Sequence, residues 1–366
     1  MLDIRTGDCL SHLQAVPDES VQMCVTSPPY FGLRDYKMEG QLGLEKTPED
    51  YVARMVQVFD EVRRVLKNDG TFWLNIGDSY AGGGKGGNPP ESEHQKRKTN
   101  RGSLLHAGLH ENARLAGVVD RSWQKPPPGL KAKDLIGIPW MLAFALRSAG
   151  WYLRQDIIWA KANCMPESVT DRCTKSHEYI FMFSKKPRYY YDHEAIKEPC
   201  IYDVDGTGTV ARKARASSEL KSFPTAERAG IRNGGYKNSV NFNGKNAGNE
   251  KQRGRSRRHD GFNDRWDKME REEQCHGMRN KRDVWTTATA SFKGAHFAVF
   301  PPKLILPCIL AGSRVGDTVL DPFLGSGTTA MVALQNGRKA LGIELNPEYV
   351  AIAYKRCGVE EDAWLT

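Results

Sequence analysis

The stretch "VTSPPYFGLRD" at residues 25–35 packs a hydroxyl, two prolines and two aromatic rings into Ser27–Phe31. Consecutive prolines give up two backbone donors and pin the chain in an extended or turned shape. Such a stretch cannot continue a central strand. It reads as a rigid post at the end of a strand, holding Ser27, Tyr30 and Phe31 in place.

A second chemical locus lies near the far end, in "DPFLGSGTT" at 321–329. A strand runs into a Gly-Ser-Gly turn and then a helix, so a ligand can approach bare backbone and the free N–H groups of a helix N-terminus. Glu344 ends the next strand, 17 residues after Gly327. A carboxylate there is placed to accept the two hydroxyls of a ribose. Together these residues indicate a nucleoside-containing cofactor. A dehydrogenase would prefer a third glycine, where position 330 is Ala, and would carry the motif first in the chain. A kinase-type phosphate loop would need Gly-Lys-Ser/Thr, and the lysine is missing. An ordinary tight strand–helix turn is the plain structural alternative.

The elements that position these residues alternate between strand and helix, which argues for an α/β sheet. Short strands are expected at 2–5 and 21–26. A helix follows from Pro48, capped by Thr47, with an apolar stripe of Val52, Met55, Val56, Phe59, Val62 and Leu66. "TFWLNIGD" (71–78) reads as a buried strand, 138–149 as a helix, and "YLRQDIIWA" and "EYIFMFSK" as strands. At the end, "PPKLILPCILAG", 328–336 and 347–356 read as helices, with "DTVLDPF" and "KALGIE" as strands. The Gly- and Pro-rich segment at 79–133 is expected to be a flexible loop.

The formal net charge is +9, and residues 201–282 hold 19 Lys and Arg against 11 Asp and Glu. Nearly all of the basic excess is therefore confined to one segment, which suggests a polyanion-binding region; a solvated basic insertion is the alternative. The 8 cysteines are scattered without zinc-ligand spacing, which reads as reduced, mostly buried thiols in a cytoplasmic protein. No apolar run is long enough to span a membrane, and "MLDIRTGDCL" lacks the pattern of a signal peptide.

Taken together, "TSPPYFGLRDY" early and "DPFLGSGTT" late resemble the β class of DNA amino-methyltransferases, in which the catalytic motif precedes the cofactor motif. The segment "KRDVWTT…HFAVFPPKL" (281–304) is similar to the family's lead into its cofactor domain. The resemblance covers most of 1–200 and 283–357. It implies a circularly permuted, Rossmann-like fold with a mostly parallel seven-stranded sheet, helices on both faces and a basic insertion. In that arrangement 1–189 and 283–366 form the catalytic domain, and 190–282 form a target-recognition insertion. Residues 2–5 would complete the sheet beside "KALGIE", bringing the chain ends to one sheet edge.

The resemblance also implies roles. S-adenosylmethionine would lie across Gly325, Ser326 and Gly327, with Pro322, Phe323, Thr328 and Thr329 around it. Asp321 would sit near its methionine amino group, Glu344 would take the ribose hydroxyls, and Asp8 would lie near the adenine. Phe300 and Pro301 would wall the methionine end. Ser27 and the carbonyl of Pro28 would accept both N–H bonds of a base's exocyclic amine, freeing its lone pair for the methyl group. Pro29 stiffens that carbonyl, and Tyr30 stacks on the flipped base with help from Phe31. No metal or covalent intermediate is implied. Carbon-5 methylation would need a Cys nucleophile; Pro199-Cys200 and Pro307-Cys308 carry the dipeptide but not the position.

Serine at position 27 is typical of the family's cytosine-N4 enzymes, while Asp or Asn is commoner in adenine-N6 enzymes, so cytosine is expected and adenine is the alternative. Arg253, Arg255, Arg257 and Arg258 are expected to contact phosphates of double-stranded DNA. An inactive DNA-binding protein of this fold, a dehydrogenase, or RNA or protein as substrate are the other readings. Partnership with a restriction endonuclease, a phage-borne role and an orphan role all stay open, as do the recognition sequence and the oligomeric state.

Overall fold

A computed structural model describes residues 1–82, 126, 128–164, 166–199, 278–289 and 300–359. The chain divides into two units, Met1–Ile196 with Asn280–Thr366, and Lys197–Arg279. Of the second unit the described part is a short antiparallel pair, β6 (Glu198–Pro199) and β7 (Met278–Arg279), with Arg279 bonded to Glu198. Arg253, Arg255, Arg257 and Arg258 lie outside the described residues, as does most of the 79–133 segment.

In the first unit the strands are β1 (Leu2–Thr6), β2 (Val21–Thr26), β3 (Leu66–Ile76), β4 (Tyr152–Lys161), β5 (His177–Ser184), β8 (Val284–Thr287), β9 (Thr318–Asp321) and β10 (Lys339–Glu344). They form one sheet in the order β1-β10-β9-β2-β3-β5-β4-β8. Every neighbouring pair is parallel except the two made by β5, which runs against both β3 and β4. The sheet thus has eight strands rather than the expected seven. The extra one, β8, comes from the "DVWTT" stretch: Trp285 is buried and its indole N–H donates to the Arg282 carbonyl, seating the strand beside β4.

Helices cover both faces. On one side lie α1 (Cys9–Gln14), α2 (Pro48–Val65) and α3 (Ile138–Ser148), burying Leu13, Tyr51, Phe59 and Leu142 against the sheet. On the other lie α4 (Pro302–Gly312), α5 (Thr328–Gln335) and α6 (Pro347–Arg356), burying Leu304, Ile309, Val332 and Ala353. Two-sided cover is why the central strands read as continuous apolar runs. Thr47 caps α2 by accepting from the Asp50 N–H, with Pro48 at the first position, as its sequence requires. β3 begins directly at the end of that helix, five residues before the expected start at 71, and its register slips against β2 between Val21 and Met23.

The first strand and the last described helix meet at one edge. Leu2 pairs with Ala340 and Thr6 with Glu344, and the Tyr354 hydroxyl of α6 reaches the Ile4 carbonyl at 3.5 Å. Because the strands around the centre are parallel, Thr6, Thr26, Ile76, Asp321 and Glu344 all end at the same rim. The reversed β5 brings its opening residues, His177 and Glu178, to that rim instead.

Candidate active site

A cavity of about 590 Å³ opens at this rim, within the size range of ligand pockets. It is lined from one side by Ser27, Pro28, Pro29 and Tyr30, and from another by Asp321, Pro322, Phe323, Gly325, Ser326, Thr328 and Glu344. Asp8 and Phe300 also border it. The two loci, nearly 300 residues apart in the chain, therefore share one space.

The proline post is fixed from behind. The Tyr51 hydroxyl of α2 donates to the Pro29 carbonyl at 2.8 Å. With Pro29 held and both ring torsions locked, the Pro28 carbonyl has little freedom left. Phe31 does not join the cavity: it is buried in the core with its ring 5.7 Å from that of Tyr51, so its apolar bulk anchors the post. The Tyr30 hydroxyl donates to Glu178 Oε2 at 2.7 Å and lies 3.4 Å from the Ser27 hydroxyl. Burial, then the Glu178 charge, pushes the Tyr30 phenol well above its ordinary range, so it stays protonated and donates. Gly77 makes room for the ring, since a Cβ there would sit 2.7 Å from Tyr30 Cε2.

The glycine turn is equally tied down. Glu344 Oε2 accepts from the Gly325 N–H at 2.7 Å while Oε1 accepts from the Asn346 N–H at 2.8 Å. The carboxylate thus clasps the turn as well as facing the cavity, and burial raises its pKa. Gly327 (φ +81°) adopts a left-handed conformation against α6, where an added Cβ would lie 2.7 Å from the Ala353 methyl. Arg356 of α6 donates to the Ser326 carbonyl and hydroxyl and to the Thr328 hydroxyl.

Asp321 is 1% exposed. Its Oδ1 accepts from the Thr26 hydroxyl at 2.6 Å and the Phe323 N–H at 3.0 Å, and its Oδ2 from the Thr329 hydroxyl at 2.6 Å. Burial outweighs these bonds and lifts its pKa to about 6. Thr26 directly precedes Ser27, so this cluster couples the two loci. Asp8 caps α1, its Oδ1 accepting from the Ser11 N–H at 2.9 Å, and it also lines the cavity. Pro301, Gly327 and Thr329 are not lining residues: Pro301 caps α4, and the other two stand behind the wall.

The residue chemistry fits S-adenosylmethionine. Backbone donors at a glycine turn, a carboxylate at the end of the next strand and a second, buried carboxylate share one rim, with room beside them for a flat base. Cys308 is buried inside α4 with its thiol pKa pushed up by burial, so it is no nucleophile, and Cys200 lies outside the described residues. Among the described residues no cluster of His, Cys, Asp and Glu could hold a metal ion, and no helix is long and apolar enough to cross a membrane.

Several lining residues carry no motif. Trp159, Lys161 and Asn163 follow one another at alternate positions, and Asn75 and Glu178 come from β3 and β5. The alternation in "IIWAKAN" is the available signal; which face opens on a cavity is decided only by the sheet order.

The DNA methylase family N6_N4_Mtase matches residues 21–355. The chain is 41% identical to the Type II methyltransferase M.Cfr9I of Citrobacter freundii, over 97% of this chain and 87% of that protein. It is 40% identical to M.SmaI of Serratia marcescens, over 96% and 89%. Among solved structures, PvuII DNA methyltransferase (cytosine-N4-specific) shares the fold at TM-score 0.54 and 17% identity, covering 97% of this chain and 86% of that one. A Thermus thermophilus protein described as a DNA modification methylase, complexed with S-adenosyl-L-methionine, does so at TM-score 0.51 and 21% identity, covering 98% and 93%. The chain belongs to the N6/N4 DNA methylase family and is an S-adenosylmethionine-dependent DNA methyltransferase.

Proposed function

We propose that the methylated atom is N4 of cytosine, in a base rotated out of double-stranded DNA into the cavity. The observation that carries this reading is Ser27: the acceptor at the head of the proline post is a neutral hydroxyl. An exocyclic amine is a poor nucleophile because its lone pair is delocalised into the ring. Ser27 Oγ and the Pro28 carbonyl hold its two N–H bonds and leave the lone pair free. Their fixed positions minimise reorganisation during reaction. Tyr30 packs on the base face, which offsets part of the few kcal/mol that flipping costs.

The bound cofactor supplies an electrophilic methyl group on a sulfonium. Ser326 and Thr328 offer it backbone and hydroxyl groups on the turn that Gly325 and Gly327 shape, Glu344 accepts from its ribose, Asp321 balances its ammonium, and Asp8, Pro322, Phe323 and Phe300 enclose it. Thr329 and Pro301 hold this wall from behind. In the 190–282 segment Arg253, Arg255, Arg257 and Arg258 contact phosphates of the duplex. We extend the Type II naming of the relatives to a role beside a restriction endonuclease of the same sequence specificity, in the cytoplasm of a prokaryote.

The test is product identity. Purified protein, unmethylated DNA and labelled S-adenosylmethionine are incubated, and the DNA is digested to nucleosides for mass spectrometry. N4-methylcytosine is expected. N6-methyladenine would overturn the reading of Ser27 and leave the family unchanged.

A further inference from the structure

Lys161 and Glu178 form an ion pair at the cavity wall, with Nζ 2.5 Å from Oε1 and side chains 22% and 14% exposed. A pair so withdrawn from water gains little stability, because desolvation offsets the attraction. Its placement is better explained by what it offers the cavity. Glu178 stands opposite Trp159 in the β4–β5 ladder, and Lys161 Nζ lies 4.9 Å from the Trp159 ring centroid. The same carboxylate accepts from the Tyr30 hydroxyl at 2.7 Å and from the Asn75 amide at 3.2 Å. One anion therefore orients both the ring of the proline post and a cationic donor, and Lys161, like Tyr30, lines the cavity.

A base presented to Ser27 and Pro28 by its amine turns the rest of its Watson–Crick edge toward the neighbouring wall. In cytosine that edge continues as N3 and then the O2 carbonyl, two acceptors in a row. In adenine it continues as N1 and then C2–H, which accepts nothing. Ser27 and Pro28 serve only the amine donors, so the remaining edge calls for a donor. An enzyme that extrudes its target reads it by bonds to this edge.

We propose that Lys161, aimed by Glu178 and Trp159, donates to O2 of the flipped cytosine and so selects cytosine over adenine. This rests on the cytosine-N4 reading and adds to it a residue that touches the substrate on the side away from the reacting amine.

The experiment uses the full chain and a duplex carrying the site located by mapping the methylated product. The target cytosine is compared with its 2-aminopyridine C-nucleoside analogue, which keeps the amine and ring nitrogen but has hydrogen in place of O2. Single-turnover methylation by the wild-type protein should be about 10–100-fold slower on the analogue, the range for a hydrogen bond to a charged group. Lys161→Met should be slow on both, with the two rates within about 3-fold of each other, and Lys161→Arg should restore part of the difference. Equal wild-type rates on both duplexes overturn the proposal without any variant. So does a Lys161→Met protein that keeps the wild-type ratio. If the product is N6-methyladenine, the cytosine reading itself has failed, and that outcome appears in the product rather than in the ratio.

Discussion

Asp321 is a carboxylate whose burial outweighs its own hydrogen bonds. Its carboxylate takes three donors, yet burial still raises it from 3.8 to about 6. A group raised in this way favours the folded state while protonated, and that contribution fades as pH rises through about 6. A ligand cation beside it has the opposite preference, for the ionised form. Cofactor affinity should therefore be full above about pH 6 and fall by about tenfold per unit below it. Titration calorimetry with S-adenosylmethionine between pH 5 and 7.5 measures this. Asp321→Asn should bind more weakly and lose the slope; a variant with the wild-type slope would remove Asp321 from the ammonium site. Ser27 makes a different prediction, because in the proposed mechanism it serves the amine and not the cofactor. Ser27→Ala should keep cofactor affinity and lose about 10²–10³-fold in the methylation rate, by analogy with deleting one preorganised polar contact at a reacting centre. A comparable loss of cofactor binding would assign the residue elsewhere.

At the scale of elements, the glycine turn is held by the strand and the helix that follow it. Glu344 at the end of β10 takes the Gly325 N–H, and Arg356 in the last turn of α6 takes Ser326 and Thr328. Gly327 must be glycine for two independent reasons, its positive φ and the contact with Ala353. Left-handed backbone costs about 1–2 kcal/mol and overpacking about 1–3, so Gly327→Ala should lower stability by about 2–5 kcal/mol in denaturant unfolding. Arg356→Met should instead leave unfolding nearly unchanged and weaken the cofactor about tenfold, since it frees a turn without opening the core; unaltered affinity would mean the turn stands without it. These contacts also explain what could be read in advance. The turn, Glu344 and the proline post each obey a local rule written in a few residues. Arg356, Tyr51 and Glu178 act across 30, 22 and 148 positions, on Ser326, Pro29 and Tyr30 respectively. No local pattern contains such pairings. Phe31 departs from expectation for a related reason: an aromatic residue beside a site can face the site or the core, and only the packing of Tyr51 decides.

For the whole molecule, sheet order turns two distant motifs into one cavity, while the basic excess is placed in the other unit. The 19 Lys and Arg against 11 Asp and Glu at 201–282 contrast with a remainder close to neutral. Counterion release then makes this segment the expected source of most DNA affinity and of its salt dependence. The antiparallel pairing of β6 with β7, Glu198 opposite Arg279 and Pro199 opposite Met278, offers a clean way to ask. Strands paired in that manner can be joined by a two-residue Asn-Gly turn. Replacing 200–277 by such a turn removes 16 of the 19 Lys and Arg, with all 11 Asp and Glu, and leaves Arg279, Lys281 and Arg282. The shortened protein should keep the unfolding midpoint and the cofactor affinity of the full chain, because every residue around the cavity comes from the first unit. Its affinity for duplex DNA should fall by at least about 10²-fold, and the dependence of that affinity on salt should flatten. Unchanged DNA binding with an unchanged salt slope would place the phosphate contacts on the catalytic unit. Loss of the unfolding transition would mean that the segment contributes to folding as well as to recognition.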